Sequence, residues 1–157
     1  MKEIEVKTLV KAKEEGELSP IEKKLVDASR RATAGAYAPY SNFKVGAAIL
    51  LDNGEIVCGA NQENVAYPSG TCAERSACFW AAANYPQAHF EMIAVCAIGT
   101  DGLICEYPTA PCGACRQALL EYEVLASHDV PVLLVGRDVV YCLPSVKSLL
   151  PLAFTEF

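Results

Sequence analysis

The chain has 157 residues and a mass of 16.8 kDa, which is the size of a single domain. Its formal net charge of −6 argues against a nucleic-acid-binding protein, because such proteins neutralise phosphates with clustered cations. Its hydrophobic content of 52% is too high for a disordered chain, yet no apolar run reaches the ~20 residues of a membrane helix.

The charged start of the chain predicts an N-terminal extension over residues 1–18, either helical or frayed, followed by a single domain over 19–157. This start lacks the apolar stretch of a secretory signal, so we expect a cytoplasmic protein. Ser19-Pro20-Ile21-Glu22 then predicts a helix start, with a capping box and proline at the first helical position. Apolar residues at helical spacing continue this helix to about Ala36.

The rest of the chain predicts alternating strands and helices. A strand over 43–51 leads through the hairpin turn Asp52-Asn53-Gly54-Glu55 into a second strand over 56–58. The further elements are a helix over 71–84, a buried strand over 92–99, a helix over 111–122, a strand over 130–135, a short strand over 139–143 and a short helix over 145–150. This order predicts an α/β fold with a mixed sheet.

Eight cysteines are unusual in a chain of this size. In a reducing compartment thiols are more often core residues, metal ligands or catalytic groups than disulfides. Cys58, Cys78 and Cys96 stand in apolar runs and are expected to fill the core. Cys105 and Cys142 receive no role, which leaves Cys72 and the pair Cys112 and Cys115.

These three cysteines stand at the starts of two successive predicted helices, in Cys72-Ala73-Glu74 and Pro111-Cys112-Gly113-Ala114-Cys115. Three thiolates can occupy three corners of a zinc tetrahedron and leave the fourth open for water, as in catalytic zinc sites. Helix N-termini also favour the thiolate form. Glu74 is close enough in sequence to reach the open corner, and the pattern is typical of zinc nucleobase deaminases.

Other interpretations of these residues are open at this point. Thr71 and Glu74 also fit a capping box, in which Glu74 only binds backbone. Cys105 is a candidate fourth ligand for a purely structural zinc, and a redox C-x-x-C pair would leave Cys72 unexplained. Ser127-His128-Asp129 are adjacent and cannot adopt the geometry of a catalytic triad.

Further motifs accompany the cysteines: residues 37–48 (Tyr-Ala-Pro-Tyr-Ser-Asn-Phe-Lys-Val-Gly-Ala-Ala), 61–64 (Asn-Gln-Glu-Asn), 71–75 (Thr-Cys-Ala-Glu-Arg), 111–117 (Pro-Cys-Gly-Ala-Cys-Arg-Gln) and 149–154 (Leu-Leu-Pro-Leu-Ala-Phe). With them, the sequence from about Ala28 to Phe154 resembles the small, homotetrameric, three-cysteine cytidine deaminases. The resemblance implies a three-layer α/β/α sandwich around a five-stranded mixed sheet, with one zinc ion per subunit. It also implies hydrolysis of free cytidine or deoxycytidine to uridine or deoxyuridine and ammonia, in pyrimidine salvage.

The resemblance also assigns roles to single residues. It makes Cys72, Cys112 and Cys115 the zinc ligands and Glu74 the proton shuttle beside them. It places Phe43 against the pyrimidine ring and Asn61 with Glu63 on the ribose hydroxyls, and it puts Tyr67 and Phe154 near the site of a neighbouring subunit. An aromatic face suits a flat base, and an amide with a carboxylate suits a diol.

Arg75, next to Glu74, is our candidate for a hydrogen bond to a ligand sulfur, because three thiolates on Zn²⁺ leave a net negative charge. The alternatives are a surface arginine at Arg75, a core aromatic at Phe43 and turn residues at Asn61 and Glu63. The chain departs from the family at Leu152, where glycine is usual, at 68–70 and in residues 1–18.

The apolar end of the chain at 149–154 and the alanine-rich helix over 71–84 predict a subunit interface, with packing of the tail on its own subunit as the alternative. Three rival functions are considered: a nucleic-acid-editing deaminase, a deaminase of another small cytosine-bearing molecule, and a non-catalytic zinc-stabilised binding module. The net charge disfavours the first. We expect no nucleic-acid partner and no membrane partner.

Overall fold

In the computed structural model, which describes residues 1–155, six strands form one mixed sheet. The strands are β1 (Lys11–Lys13), β2 (Lys44–Leu51), β3 (Ile56–Ala60), β4 (Phe90–Ile98), β5 (Val132–Val135) and β6 (Val140–Leu143). Their order in the sheet is β1-β6-β5-β4-β2-β3. Only β4 and β5 are parallel neighbours within the described residues. The predicted α/β class with a mixed sheet is confirmed.

Three α-helices within residues 1–155 cover the two faces of this sheet: α1 (Pro20–Ala32), α2 (Ala73–Asn84) and α3 (Gly113–Ala126). The alternation of side chains along each strand separates two cores. Ala47 and Ile49 of β2 belong to the core under α2 and α3, whereas Ala48 belongs to the core under α1. The predicted three-layer sandwich therefore holds. No helix in the described part of the chain is long and apolar enough to cross a membrane.

The sheet has one strand more than the predicted five, because part of the N-terminal extension forms a strand. The prediction that this extension is helical or frayed is therefore wrong for that part. Its residues 11–13 form β1, which pairs antiparallel with β6 at Ala12↔Tyr141. Lys13 donates from Nζ to the Glu22 carboxylate on α1 at 2.7 Å and 2.9 Å. This hydrogen bond raises the pKa of Lys13. Pairing with β6 and the contact with α1 therefore stabilise this strand. The charge-rich sequence of residues 11–13 does not by itself predict a strand.

Several predicted boundaries differ from the structure in detail. The capping box at Ser19 is present, but α1 ends at Ala32 and a 3-10 turn over Thr33–Gly35 replaces its last predicted turn. The helix predicted to end at residue 122 continues to Ala126. The short helix predicted over 145–150 is instead a single 3-10 turn, Lys147–Leu149.

A buried carboxylate connects the C-terminal part of α3 to two neighbouring segments of the chain. Glu123 on α3 is 8% exposed. Its Oε2 accepts hydrogen bonds from the backbone N–H groups of Val130 at 2.9 Å and Val146 at 2.6 Å, and its Oε1 accepts from that of Lys147 at 3.0 Å. One side chain therefore joins α3 to the segment before β5 and to the turn after β6.

Glu123→Ala is expected to destabilise the fold by about 3 kcal/mol, because it leaves two buried N–H groups and one part-buried N–H group without an acceptor. Urea unfolding of the purified variant measures this. The matched control is Glu121→Ala, at an exposed position on the same helix, which is expected to stay within about 0.5 kcal/mol of the parent. Equal stability of the two variants would contradict the role given to Glu123.

Candidate metal centre and substrate cavity

The structure brings Cys72, Cys112 and Cys115 together. Cys72 precedes α2 as its N-cap, Cys112 precedes α3 as its N-cap, and Cys115 lies in the first turn of α3. The three Sγ atoms all lie within 4.8 Å of one another, and those of Cys112 and Cys115 are 3.5 Å apart. Tetrahedral zinc with Zn–S bonds of ~2.3 Å separates its sulfur ligands by about 3.8 Å, so this donor set fits zinc.

Within residues 1–155 no fourth cysteine joins this cluster, so the alternative of a four-thiolate structural site that includes Cys105 is wrong. A third cysteine in the cluster is also more than a redox C-x-x-C pair requires. The three sulfurs of the described cluster leave the fourth corner of a tetrahedron free for a non-protein ligand.

Close packing of α2 on the sheet sets the position of Cys72. A Cβ atom at Gly59 of β3 would lie 2.4 Å from the backbone N of Ala77 and 2.6 Å from the O of Ala73. Glycine at this position therefore lets the first turns of α2 rest directly on the edge strand. Both helices then lie on the same face of the sheet with their N-termini at the cysteine cluster.

The cluster stabilises one negative charge in the protein without metal. A hydrogen bond from the Cys115 thiol is the main cause that lowers the pKa of Cys72 to about 5, and Arg75 contributes further. The same hydrogen bond and burial raise the pKa of Cys115. Arg75 donates from Nη2 to Cys72 Sγ at 3.7 Å, so its guanidinium faces the cluster and is not a surface group.

Glu74 lies beside the sulfurs and is 5% exposed. The N-cap of α2 is Cys72, which shows no side-chain cap hydrogen bond. The capping-box alternative, which needs Thr71 at the N-cap, is therefore wrong. Burial raises the pKa of the Glu74 carboxyl, and negative charge at Cys72 adds to this effect. An upward shift makes the protonated form of a carboxyl easier to reach, as a group that transfers protons requires.

A cavity of ≈ 510 Å³ opens next to the cluster and reaches Cys72. Three of the residues predicted to contact substrate line it: Asn61, Glu63 and Tyr67. The predictions from sequence did not include Tyr40 and Ser41, which also line it. Both lie in the motif at 37–48, so the motif already carried the signal for them.

Asn61 and Glu63 also hold the loop that forms one wall of this cavity. Asn61 accepts from the backbone N of Val45 at 2.8 Å and donates to the O of Phe43 at 2.9 Å. Glu63 accepts through Oε2 from the backbone N of Tyr40 at 2.9 Å, and the Ser41 hydroxyl is the main group that lowers its pKa. Both residues are therefore structural as well as cavity-lining.

Phe43 is half-buried and belongs to neither hydrophobic core, so it is not the core aromatic of the alternative interpretation. Phe154 lies away from the cavity of its own chain. It lines a separate groove on α2 and α3 with Phe79 and Tyr122, and Gln117 Nε2 donates to its backbone O at 3.0 Å. Tyr67 lies at the cavity of its own chain and is 80% exposed.

Arg116, which the predictions from sequence did not include, connects the cluster to the C-terminal segment. Its Nε donates to the O of Pro111 and its Nη1 to the O of Leu149, both at 2.8 Å. The turn before Cys112 is thereby joined to the start of the apolar tail. No local pattern marks this contact, because its two acceptors are backbone atoms far apart in sequence.

Comparison with known proteins agrees with this geometry. Residues 20–127 match the family model described as the cytidine and deoxycytidylate deaminase zinc-binding region. The chain belongs to this family. The match confirms the predicted zinc cofactor, since the described cysteines can hold a metal within the region that the model defines.

Individual relatives cover most of the chain. It is 41% identical over 133 residues to a cytidine deaminase of Sporosarcina psychrophila, covering 85% of this chain and 90% of that one. A cytidine deaminase of Halalkalibacterium halodurans is 38% identical over 131 residues, with coverages of 83% and 92%. The crystal structure of cytidine deaminase from Burkholderia pseudomallei is similar with a TM-score of 0.68 and 39% identity, over 83% of this chain and 97% of that one.

The metal-free protein is expected to keep a thiolate at Cys72 at neutral pH and to lose it as the pH falls through about 5. Because the pKa of Cys72 is lowered in the fold, its charge stabilises the folded protein above the unfolded pKa, and this contribution is lost on acidification. Thiolate absorbance at 240 nm during a pH titration of chelator-treated protein measures the transition. Arg75→Gln is expected to move it to higher pH, and Cys72→Ser to remove it. A transition near pH 9 in the parent would contradict this assignment.

Proposed function

We propose that this protein is a zinc-dependent cytidine deaminase that hydrolyses free cytidine and deoxycytidine to uridine and deoxyuridine with release of ammonia. The observation that carries the proposal is the cluster of three sulfurs within 4.8 Å, with a buried carboxyl beside it and an adjoining open cavity. The relatives named cytidine deaminase, at up to 41% identity over 85% of the chain, support it.

Cys72, Cys112 and Cys115 are the zinc ligands in this proposal. When bound, zinc lowers the pKa of a water ligand towards ~7 and so supplies a hydroxide nucleophile at neutral pH. Arg75 offsets part of the negative charge of the thiolates through its contact with Cys72 Sγ. The N-termini of α2 and α3 add to this stabilisation through their free N–H groups.

Glu74 moves the protons of the reaction. It accepts a proton from the attacking water and delivers it to N3 of the pyrimidine, which makes C4 electrophilic. After attack at C4 it takes the proton of the new C4 hydroxyl and transfers it to the amine, so that the C4=O bond forms as the C4–N bond breaks and ammonia leaves. Burial raises the pKa of Glu74, and this direction favours the protonated form that the side chain needs when it acts as an acid after acting as a base.

The cavity favours a nucleoside over a nucleotide. Phe43 contacts the base, while Asn61 and Glu63 bind the ribose hydroxyls with the donor and acceptor atoms that their backbone contacts leave available. Among the described residues that line the cavity there is no lysine or arginine, and Glu63 is an acid. A phosphate group would meet negative charge there without a counter-ion.

The assembly we propose is a homotetramer in which Tyr67 and Phe154 complete the site of a neighbouring subunit. Large apolar side chains exposed in the single chain support it: Phe79 at 51%, Leu152 at 88% and Phe154 at 63%. The tail packs on its own subunit through Leu149, Leu150 and Ala153, and it leaves Leu152 and Phe154 exposed. We place the reaction in pyrimidine salvage in the cytoplasm. Sedimentation of the purified protein tests the assembly.

A substrate panel with zinc-loaded protein tests the activity. Loss of absorbance on deamination is expected for cytidine and deoxycytidine, and much slower turnover for cytidine monophosphate and for a cytosine-containing single-stranded oligonucleotide. No turnover of any compound by zinc-loaded protein would favour the non-catalytic binding module. Preference for the oligonucleotide would favour an editing enzyme, and preference for a cytosine compound without ribose would overturn the sugar contacts.

Glu74→Gln is expected to keep zinc and fold but to lower turnover by at least ~10²–10⁴-fold, because an amide keeps the shape of the side chain but cannot carry the proton. Steady-state kinetics on cytidine, with zinc content and circular dichroism measured alongside, check this. The control Glu55→Gln, in the exposed hairpin, is expected to behave as the parent. More than a tenth of the parent activity in Glu74→Gln would contradict the role of Glu74.

Cys112→Ser is expected to lower zinc content and thermal stability together with activity, because metal binding to an assembled site contributes to folding free energy. Elemental analysis and thermal unfolding measure the two effects. Cys78→Ser is the matched control: Cys78 is buried in the core and lies outside the cysteine cluster, so this variant is expected to keep a full complement of zinc. Full zinc occupancy in Cys112→Ser would refute the ligand assignment.

A further inference from the structure

The outer edge of β3 has backbone groups with no strand beside them. In β3, Val57 and Gly59 exchange backbone hydrogen bonds with β2, as the flanking bonds Leu51 N–Glu55 O (2.9 Å) and Asn61 N–Val45 O (3.2 Å) establish. The N–H and C=O groups of Ile56, Cys58 and Ala60 therefore point away from the sheet. Among residues 1–155, the one group that meets them is Gln62 Nε2, which lies 3.4 Å from the O of Ala60.

This edge lies in a groove between α1 and α2, which we call the edge groove. The groove has a volume of ≈ 580 Å³ and is lined by residues 56–60, by Arg31 at the end of α1 and by Trp80 and Tyr85 on the α2 side. Arg31 is the one charged residue among the described lining residues. Trp80 is 51% exposed. The groove thus offers strand-pairing groups with a cation on one wall and an aromatic surface on the other.

Residues 1–10, which we call the arm, carry the pattern of a strand. Ile4 and Val6 alternate with Glu3, Glu5 and Lys7, and a period of two places the apolar and charged side chains on opposite faces of an extended chain. The arm has no secondary structure of its own and leads directly into β1. Ile4 is 81% exposed and Val6 is 53% exposed.

The arm of a chain cannot pair with the β3 edge of the same chain. β1 and β3 are at opposite ends of the sheet order, separated by five inter-strand spacings, or ~24 Å at ~4.8 Å each. Val6 lies five residues before Lys11, the first residue of β1, so an extended chain carries it at most ~18 Å from there, which is short of this distance. An arm that covers this edge must therefore come from another molecule.

We propose that the arm of one copy of this chain adds as a strand to the β3 edge of a second copy. The apolar face of the arm, with Ile4 and Val6, lies against Trp80, and its acidic residues Glu3 and Glu5 face Arg31. Backbone hydrogen bonds supply the pairing, and the side-chain pattern supplies the specificity, as in other complexes formed by strand addition. This interaction is independent of the proposed deaminase activity.

A cross-link to a native cysteine tests the proposal. The side chain of Cys58 points to the α1 side of the sheet, with its Sγ 3.9 Å from the O of Ala28, which is the side where the acidic face of the arm would lie. Mild oxidation with glutathione disulfide of zinc-loaded Glu3→Cys, Glu5→Cys and Lys7→Cys variants is expected to give a covalent dimer in at least one of them. The covalent dimer is expected to disappear when Cys58→Ser is added. Its yield is expected to be lower for Ile4→Cys, because the side chain of Ile4 faces the other wall of the groove.

The absence of any dimer that depends on Cys58 would overturn the proposal. A cross-link within one chain, migrating at the monomer mass, would overturn it as well. Exchanging the charges of Arg31 and of the acidic residues gives a second, independent test. In the Lys7→Cys protein, which keeps both acidic residues, Arg31→Glu is expected to lower the yield of cross-linked dimer by ~2- to 5-fold, the effect of an exposed ion pair, and Glu3→Arg with Glu5→Arg is expected to restore it. Unchanged yield in Arg31→Glu would show that the acidic face does not meet this wall.

Discussion

Three cysteine thiols and one glutamate carboxyl lie together at the start of two helices, and the rest of this structure depends on holding these ionisable groups so close to one another. Three sulfurs lie within 4.8 Å of one another, and the buried carboxyl of Glu74 adjoins them. Negative charges at this spacing repel one another strongly in a partly dry site. The free N–H groups of α2 and α3, the guanidinium of Arg75 and a bound metal ion are the groups that offset this repulsion.

This constraint explains features that lie away from the cluster. The N-termini of α2 and α3 must meet, so α2 has to lie flush on β3, and Gly59 permits that contact because any side chain there would collide with the backbone of Ala73 and Ala77. The turn before Cys112 is connected to the C-terminal segment through Arg116. On the other wall of the cavity, Asn61 and Glu63 fasten the loop that carries Phe43. A cavity whose lining residues are already held by backbone hydrogen bonds loses little entropy when a ligand binds.

The sequence predicted those parts of the structure that depend on local signals. Ser19 and Glu22 form the expected capping box, and the turn at 52–55 joins two antiparallel strands as its composition indicated. The meeting of the cysteines at the two helix starts was predicted from the resemblance of their motifs to those of a known family. The strand at 11–13 was missed because its stability comes from pairing with β6 and from the contact between Lys13 and Glu22. Glu123 was missed because its three backbone donors are distant or irregular in sequence, and no periodicity marks them.

The two edges of the sheet differ in a way that bears on how copies of this chain meet. The edge strand β1 carries Lys11 and Lys13 among its three residues, and lysines on an edge strand oppose pairing with another chain. The edge strand β3, Ile-Val-Cys-Gly-Ala, carries no charge. Each copy therefore has one edge that accepts a strand and one arm that can supply it. If two copies exchange arms reciprocally, both edges are covered and the arm exchange is complete within that pair. Exchange in one direction only would leave a free edge and a free arm at the ends of an open chain. Because the arm joins β1 directly, without a long linker, the distance between its origin and the partner's β3 edge decides between these two outcomes.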